Sequence, residues 1–186
     1  MNPQMHIYAS NADLPAAIRY QVHSFMRIEW YDMDDYDMDS GVENDELHPS
    51  YVALTNGNTL LSFATVVRKM LELNGEKYIC YGLANVMTFP HFRKRGFAGQ
   101  VVEAATKIIR ESDADIALLW TEQQNIGFYG RSGWETLPGL VTLVGDPQNP
   151  KVYADEPALM QFLSDKGQAA RPDFEHGRVY VGAWTW

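Results

Sequence analysis

The chain has 186 residues, 46% of them hydrophobic, with one cysteine and a formal charge of −9 at neutral pH. That length can bury one substantial core without metals, the lone Cys80 rules out a disulfide framework within the chain, and the acidity speaks against a nucleic-acid partner, which needs Lys and Arg gathered on one face. The segment Met1-Asn2-Pro3-Gln4-Met5-His6 carries no basic stretch followed by an apolar one, and no apolar run approaches about 18 residues, so neither secretion nor membrane insertion is expected and a reducing cytoplasmic setting fits.

In chain order, residues 5–9 suit a first strand, and Ser10 or Asn11 can cap a helix over 14–30. An acidic segment follows. Asp32, Asp34, Asp35, Asp37, Asp39, Glu43 and Asp45 lie between Glu29 and Glu46 with no Lys or Arg among them, a concentration that either draws a cationic substrate or is simply a solvated loop. From Asp35 to Glu46 the spacing approaches a calcium-binding EF-hand loop, but Ser40 stands where the sharp turn needs Gly and His48-Pro49 interrupts the exit helix, so no metal site is assigned. Strands over 51–55 and 59–73 flank Asn56-Gly57-Asn58, a hairpin signal, and Asn74-Gly75 turns into a long strand over 77–89, giving an antiparallel meander of three strands.

The end of that strand bears the most informative run, Val86-Met87-Thr88-Phe89-Pro90-His91-Phe92-Arg93-Lys94-Arg95-Gly96-Phe97-Ala98-Gly99. An apolar strand passes into a basic, glycine-bearing turn and then a helix over 98–111, whose apolar face is Val101, Val102, Ala105, Ile108 and Ile109. Gly96 and Gly99 let backbone approach an anion, the helix start adds unpaired N–H groups and a partial positive charge, and Arg93, Lys94 and Arg95 add full ones. Such a turn holds a pyrophosphate. A strand over 116–120 precedes Asn125-Ile126-Gly127-Phe128-Tyr129-Gly130-Arg131-Ser132-Gly133-Trp134. Pro138, Gly139, Pro147 and Pro150 then punctuate an irregular tail, with a short helix expected after Asp155 and a last strand around 178–186.

Arg93-x-x-Gly96-x-Ala98 after a strand, followed by Phe128-Tyr129-x-x-x-Gly133-Trp134, resembles the two signatures of the GCN5-related N-acetyltransferases (GNAT). The resemblance implies one α/β (α+β) domain over 1–186, with a mixed, mostly antiparallel central sheet flanked by helices and a splayed strand that binds acetyl-CoA. On that footing Val86, Met87, Thr88, Arg93, Lys94, Arg95, Gly96, Phe97, Ala98, Gly99 and Asn125 would bind the co-substrate acetyl-CoA. Tyr129 would lie beside the thioester sulfur and donate to the departing thiolate. No resident metal is expected, and the assembly would be a monomer or homodimer.

Within that superfamily the run 52–88, the Tyr129-to-Trp134 segment and Trp186 are most similar to the aminoglycoside 2'-N-acetyltransferases. This likeness implies a cationic small-molecule amine as acceptor, met by Asp35, Asp37, Asn85 and Trp186. The family's strand glutamate, a general base acting through water, is replaced by Ala84, with Asn85 beside it. The amine's proton then goes to a water chain, a loop Asp, Glu122 or the carboxylate of Trp186, and Trp186 joins Tyr129 as an expected catalytic residue. Acetylation of a peptide amine or polyamine, or acyl-CoA binding without catalysis, are the other readings. Cys80 reads as a buried structural thiol, His91 as a cap or packing residue beside the cofactor, and His48 as solvated.

Overall fold

Turn chemistry sets the order of the first strands. In the computed structural model, which describes residues 2–30 and 44–186, strand β1 (Gln4–Tyr8) lies antiparallel to β2 (Ser50–Asn56), with Gln4 opposite Thr55 and Tyr8 opposite Tyr51. Between them runs helix α1 (Ala16–Glu29). β2 folds back on β3 (Thr59–Leu73) with Asn56 opposite Thr59, which leaves Gly57 and Asn58 as the turn, Gly57 at φ +60°. Asn74 at +54° and Gly75 at +80° make the second tight turn into β4 (Glu76–Thr88), two consecutive left-handed residues as a primed hairpin turn requires.

Helix α2 (Phe97–Arg110) then crosses over, so β5 (Ile116–Trp120) runs parallel to β4, Cys80 to Gly82 facing Ile116 to Leu118. Short elements follow: α3 (Ile126–Gly130), β6 (Glu135–Thr136), β7 (Val141–Val144), β8 (Lys151–Tyr153), β9 (Ala158–Phe162), α4 (Asp165–Ala169), α5 (Arg171–Glu175) and β10 (Arg178–Gly182). The larger sheet has the order β1-β2-β3-β4-β5-β9-β6, and a second sheet the order β10-β7-β8. This is the mixed, mostly antiparallel sheet with helices that was expected.

Contacts divide the chain into two compact units, Met1–Val67 with Leu83–Ile108, and Arg68–Gly82 with Ile109–Trp186; β3 and β4 contribute residues to both. The first has a core of Leu14, Ile18, Val22, Phe25 and Met26 from α1 and its approach, packed on Tyr51, Ala53, Leu60, Phe63 and Met87. The second gathers Cys80, Ile116, Leu118, Trp120, Met160, Phe174, Val179 and Val181 among others. Cys80 is wholly buried in it, and burial pushes its thiol pKa upward, which agrees with a structural role.

Three sequence expectations need correction. The first helix begins at Ala16, not at residue 14, because Pro15 holds Leu14 in extended conformation (ψ 114°); Ser10 and Asn11 open a short 3-10 turn instead. Shortly after Asp155 comes strand β9, which pairs antiparallel with β5 from Ile116↔Phe162 to Trp120↔Ala158, and the short helix expected there begins only at Asp165. The last strand stops at Gly182, where φ of +122° leaves the β region. The proline-bearing tail is thereby far more regular than its composition suggests, supplying β7, β8 and β10 as a sheet of their own.

Asp115, between α2 and β5, joins several of these elements. Its carboxylate accepts the Ile79 amide at 2.9 Å and the Ser164 hydroxyl at 2.6 Å, while its carbonyl accepts the Leu163 amide at 2.9 Å. Gly167 of α4 lies against that carbonyl so closely that a Cβ would stand 1.9 Å from the oxygen. Gly167→Ala is therefore expected to destabilise by roughly 1–3 kcal/mol, lowering Tm by roughly 2–12 °C. Gly127→Ala, where a Cβ meets nothing within 4 Å, should leave Tm almost unchanged in the same calorimetric comparison.

Candidate active site

In the first unit the site is built by the end of β4 and the turn after it. Asn85 sits at φ +49°, so a strand residue in the left-handed region breaks the extended run where the splayed segment was expected; Asn tolerates this conformation better than most residues. Its side-chain amide donates to the Thr65 hydroxyl at 3.3 Å, tying the irregularity to β3. Ala84 beside it is 5% exposed. Further on, the Ser62 hydroxyl donates to the Met87 carbonyl at 2.7 Å and lies 2.8 Å from the Thr88 hydroxyl, fixing the last strand residues. Phe89 packs on Phe25 with ring centres 5.3 Å apart.

The basic turn follows a 3-10 turn at Pro90–Phe92. Lys94 at φ +61° and Gly96 at +79° are both left-handed, separated by Arg95, just before α2 begins. Phe97 is buried and anchors the helix start, so it can serve a ligand only through its backbone. At Gly96 and at Gly99 no atom beyond the adjoining chain lies within 4 Å of where a Cβ would be, so an anion would have room to approach there. Ala98 is half-buried between them.

The three cations of the turn divide the work. Lys94 and Arg95 are exposed, Arg95 donating to the His91 carbonyl at 3.3 Å with its guanidinium 5.7 Å from the Phe92 ring centre. Arg93 is exposed as well but is tied down: Nε donates to the Thr88 carbonyl at 3.0 Å and Nη2 pairs with Glu29 at the end of α1. Arg93 therefore braces the turn, and among the described residues the unpaired positive charge is left to its two neighbours. His91 is exposed and meets Phe92 edge-on, and His48 is exposed as expected.

In the second unit α3 carries Tyr129. Gly133 at φ +79° ends the following turn, the Tyr129 carbonyl accepts the Ser132 amide at 2.9 Å, and buried Trp134 follows. Arg110 holds this turn, donating to the Ser132 carbonyl at 2.7 Å and to Gln161 at 2.9 Å. The Tyr129 phenol is pushed up to about 12, chiefly by burial and further by the charge of Glu156, against an opposing hydrogen bond with Thr121. Asn125 precedes α3 without capping it through its side chain.

Trp186 lies on β4 and β5. Its indole Nε1 donates to the Leu118 carbonyl at 3.3 Å and occupies the space beside Gly82, where any Cβ would stand 1.9 Å from that nitrogen. It meets Trp120 edge-on at 4.8 Å, and Trp120 meets Tyr153 edge-on at 6.5 Å. The Tyr153 hydroxyl donates to Glu156 Oε2 at 3.2 Å. Sequence reasoning missed Gly82, Tyr153 and Glu156, none of which falls in a motif. Glu122 is exposed and accepts from Gln124. Asp35 and Asp37, with the calcium-like spacing around them, lie outside the described residues. Among the described residues no cluster of His, Cys, Asp or Glu is arranged to hold a metal, and no helix is long and apolar enough to cross a membrane.

Comparison with known proteins agrees with this architecture. A family model described as an acetyltransferase (GNAT) domain matches residues 7–137. Among solved structures, a GNAT family acetyltransferase from Brucella melitensis in complex with acetyl-CoA superposes with a TM-score of 0.61 at 14% identity, covering 96% of each chain. An acyl-CoA N-acyltransferase from Pseudomonas aeruginosa gives 0.58 at 16% identity over 86% of this chain and 99% of that one. ElaA of Escherichia coli gives 0.57 at 12% identity over 86% and 99%. A search of curated proteins finds no significant sequence match.

The raised phenol of Tyr129 has a spectroscopic consequence. Its neutral form is favoured by the fold, so whatever stability its burial adds is present below the ordinary tyrosine range and is lost as pH rises through about 12. Difference absorbance near 295 nm should show that Tyr129→Phe removes a phenol titrating near 12 and leaves the signal at pH 10 unchanged; loss of signal at pH 10 would place that hydroxyl in water.

Proposed function

Because the chain belongs to the acetyltransferase (GNAT) domain family, we propose that it moves the acetyl group of acetyl-CoA to a primary amine of a cationic small molecule. The observation that carries the reading is the turn at Lys94 and Gly96, left-handed at both residues, open above Gly96 and Gly99, and set at the start of a 14-residue helix. Main-chain amides from Gly96 to Gly99 would hold the pyrophosphate, with Lys94 and Arg95 adding charge and Arg93 keeping the turn in shape through Thr88 and Glu29. Val86, Met87 and Thr88, just beyond the break at Asn85, would offer backbone groups to the pantetheine arm.

Acetyl-CoA supplies an activated thioester, so no covalent enzyme intermediate is required. The neutral amine attacks the carbonyl carbon, the C–S bond breaks, and the thiolate needs a proton. Tyr129 is suited to donate it, since a phenol pushed up to about 12 stays protonated across the physiological range. The acidic composition favours a cationic acceptor over an anionic one. The 2'-amine of an aminoglycoside is the specific acceptor the sequence likeness favours, with Asp35, Asp37, Asn85 and Trp186 as the groups that would meet it.

Release of CoA thiol, measured with tobramycin, spermidine and short peptides as acceptors, tests the reading, with turnover of tobramycin the expected result and turnover of peptides alone the contrary one. Tyr129→Phe should lower kcat by roughly 100-fold while acetyl-CoA affinity stays within about twofold; an unchanged kcat removes Tyr129 from the chemistry. Asp35→Asn with Asp37→Asn should raise KM for tobramycin far more than for a monoamine, and equal effects would count against electrostatic recognition.

A further inference from the structure

The ammonium of the acceptor must lose a proton before it can attack, and Ala84 leaves β4 without a carboxylate at the position where one was sought. Glu156, separated from β9 by Pro157, has the surroundings that such a role requires. It is half-buried, and its Oε2 accepts the Tyr153 hydroxyl at 3.2 Å, which fixes the carboxylate's position. Tyr153 is in turn seated edge-on against Trp120, and Trp120 against Trp186. The charge of Glu156 also bears on the phenol of Tyr129. The carboxylate thus lies within electrostatic reach of the group proposed to serve the sulfur.

We infer that Glu156 is the base that takes the proton from the acceptor ammonium. This rests on the reading of the site as an acetyltransferase centre in which Tyr129 serves the thiolate. In becoming an amide the ammonium gives up two protons. The first passes to Glu156 before attack; the nitrogen lone pair then forms the N–C bond as the C–S bond breaks. The second leaves the nitrogen afterwards and balances the proton that Tyr129 delivers to the sulfur, while protonated Glu156 releases its own to water.

The titratable groups facing Glu156 give the step a pH signature. Burial, with the charges of Glu122 and Asp155, raises the carboxyl above the ordinary glutamate range, and the bond from Tyr153 works against that rise. Tyr129, the fourth neighbour, is neutral at the pH in question. Base strength is therefore fully present above the raised value and lost as pH falls through it. The acid limb of kcat/KM should lie above the ordinary carboxylate range.

The test compares pH profiles of kcat/KM for wild type, Glu156→Gln, Glu156→Asp and Tyr153→Phe with tobramycin and spermidine as acceptors, alongside Tm and acetyl-CoA affinity. Glu156→Gln should lower kcat by roughly 100-fold and abolish the acid limb, with Tm and acetyl-CoA affinity unchanged. Glu156→Asp should keep the limb at reduced kcat. Tyr153→Phe, which removes a bond favouring the ionised form, should move the limb to higher pH. A Glu156→Gln enzyme with wild-type kcat and an intact limb overturns the inference. Tyr129→Phe in the same series separates the two readings: if it keeps its kcat while Glu156→Gln loses it, the role of Tyr129 falls and that of Glu156 stands.

Discussion

An indole ring and a β-carbon cannot share the same space, and the second unit is arranged around that exclusion at Gly82. Because position 82 has no side chain, Trp186 can lie directly on β4 and donate to the Leu118 carbonyl, at the last residue pair of the β4–β5 ladder. From there the order of contacts is fixed. Trp120 stands edge-on to Trp186 and is held by its own indole N–H on the Thr142 hydroxyl at 3.1 Å, Tyr153 stands edge-on to Trp120, and Glu156 is bonded to Tyr153. Glu156 is thus reached through two edge-on aromatic contacts and one hydrogen bond, and such preorganisation suits the proton-transfer role proposed for it.

The first unit solves a different electrostatic problem. An acidic chain repels an anionic donor at long range, so attraction must be local and short. On the proposed reading, main-chain amides and a helix start would do this without raising net charge, and the exposed Lys94 and Arg95 would reinforce them. Pairing Arg93 with Glu29 neutralises the third cation while anchoring the turn to α1. The sum of charges on the chain thus says little about the charge an incoming phosphate meets.

How far the sequence could be read follows the range of the interactions. β2, β3, β4, α2 and β5 were legible because each is announced locally, by Asn-Gly turns or by an apolar face of helical period. β6 to β9 were not: they are two to five residues long, and β9 is a strand because it finds β5 across a long stretch of chain, not because of its own pattern. The same distinction governs the site. The loop at Arg93 to Gly99 and the Tyr129 turn are contiguous and were visible. The partner of Arg93 is 64 residues away, and the surroundings of Glu156 are built by Tyr153, Trp120 and Trp186, so neither could be seen before the chain was folded.

Cys80 gives the protein an internal clock. It is the only sulfhydryl in the chain, completely buried between Ile116, Leu118 and their neighbours, and burial keeps it in the unreactive thiol form. A thiol reagent added to the folded enzyme therefore reads the coenzyme product alone. Slow labelling of the protein itself can begin only when the core of the second unit parts, and its rate measures how often that happens.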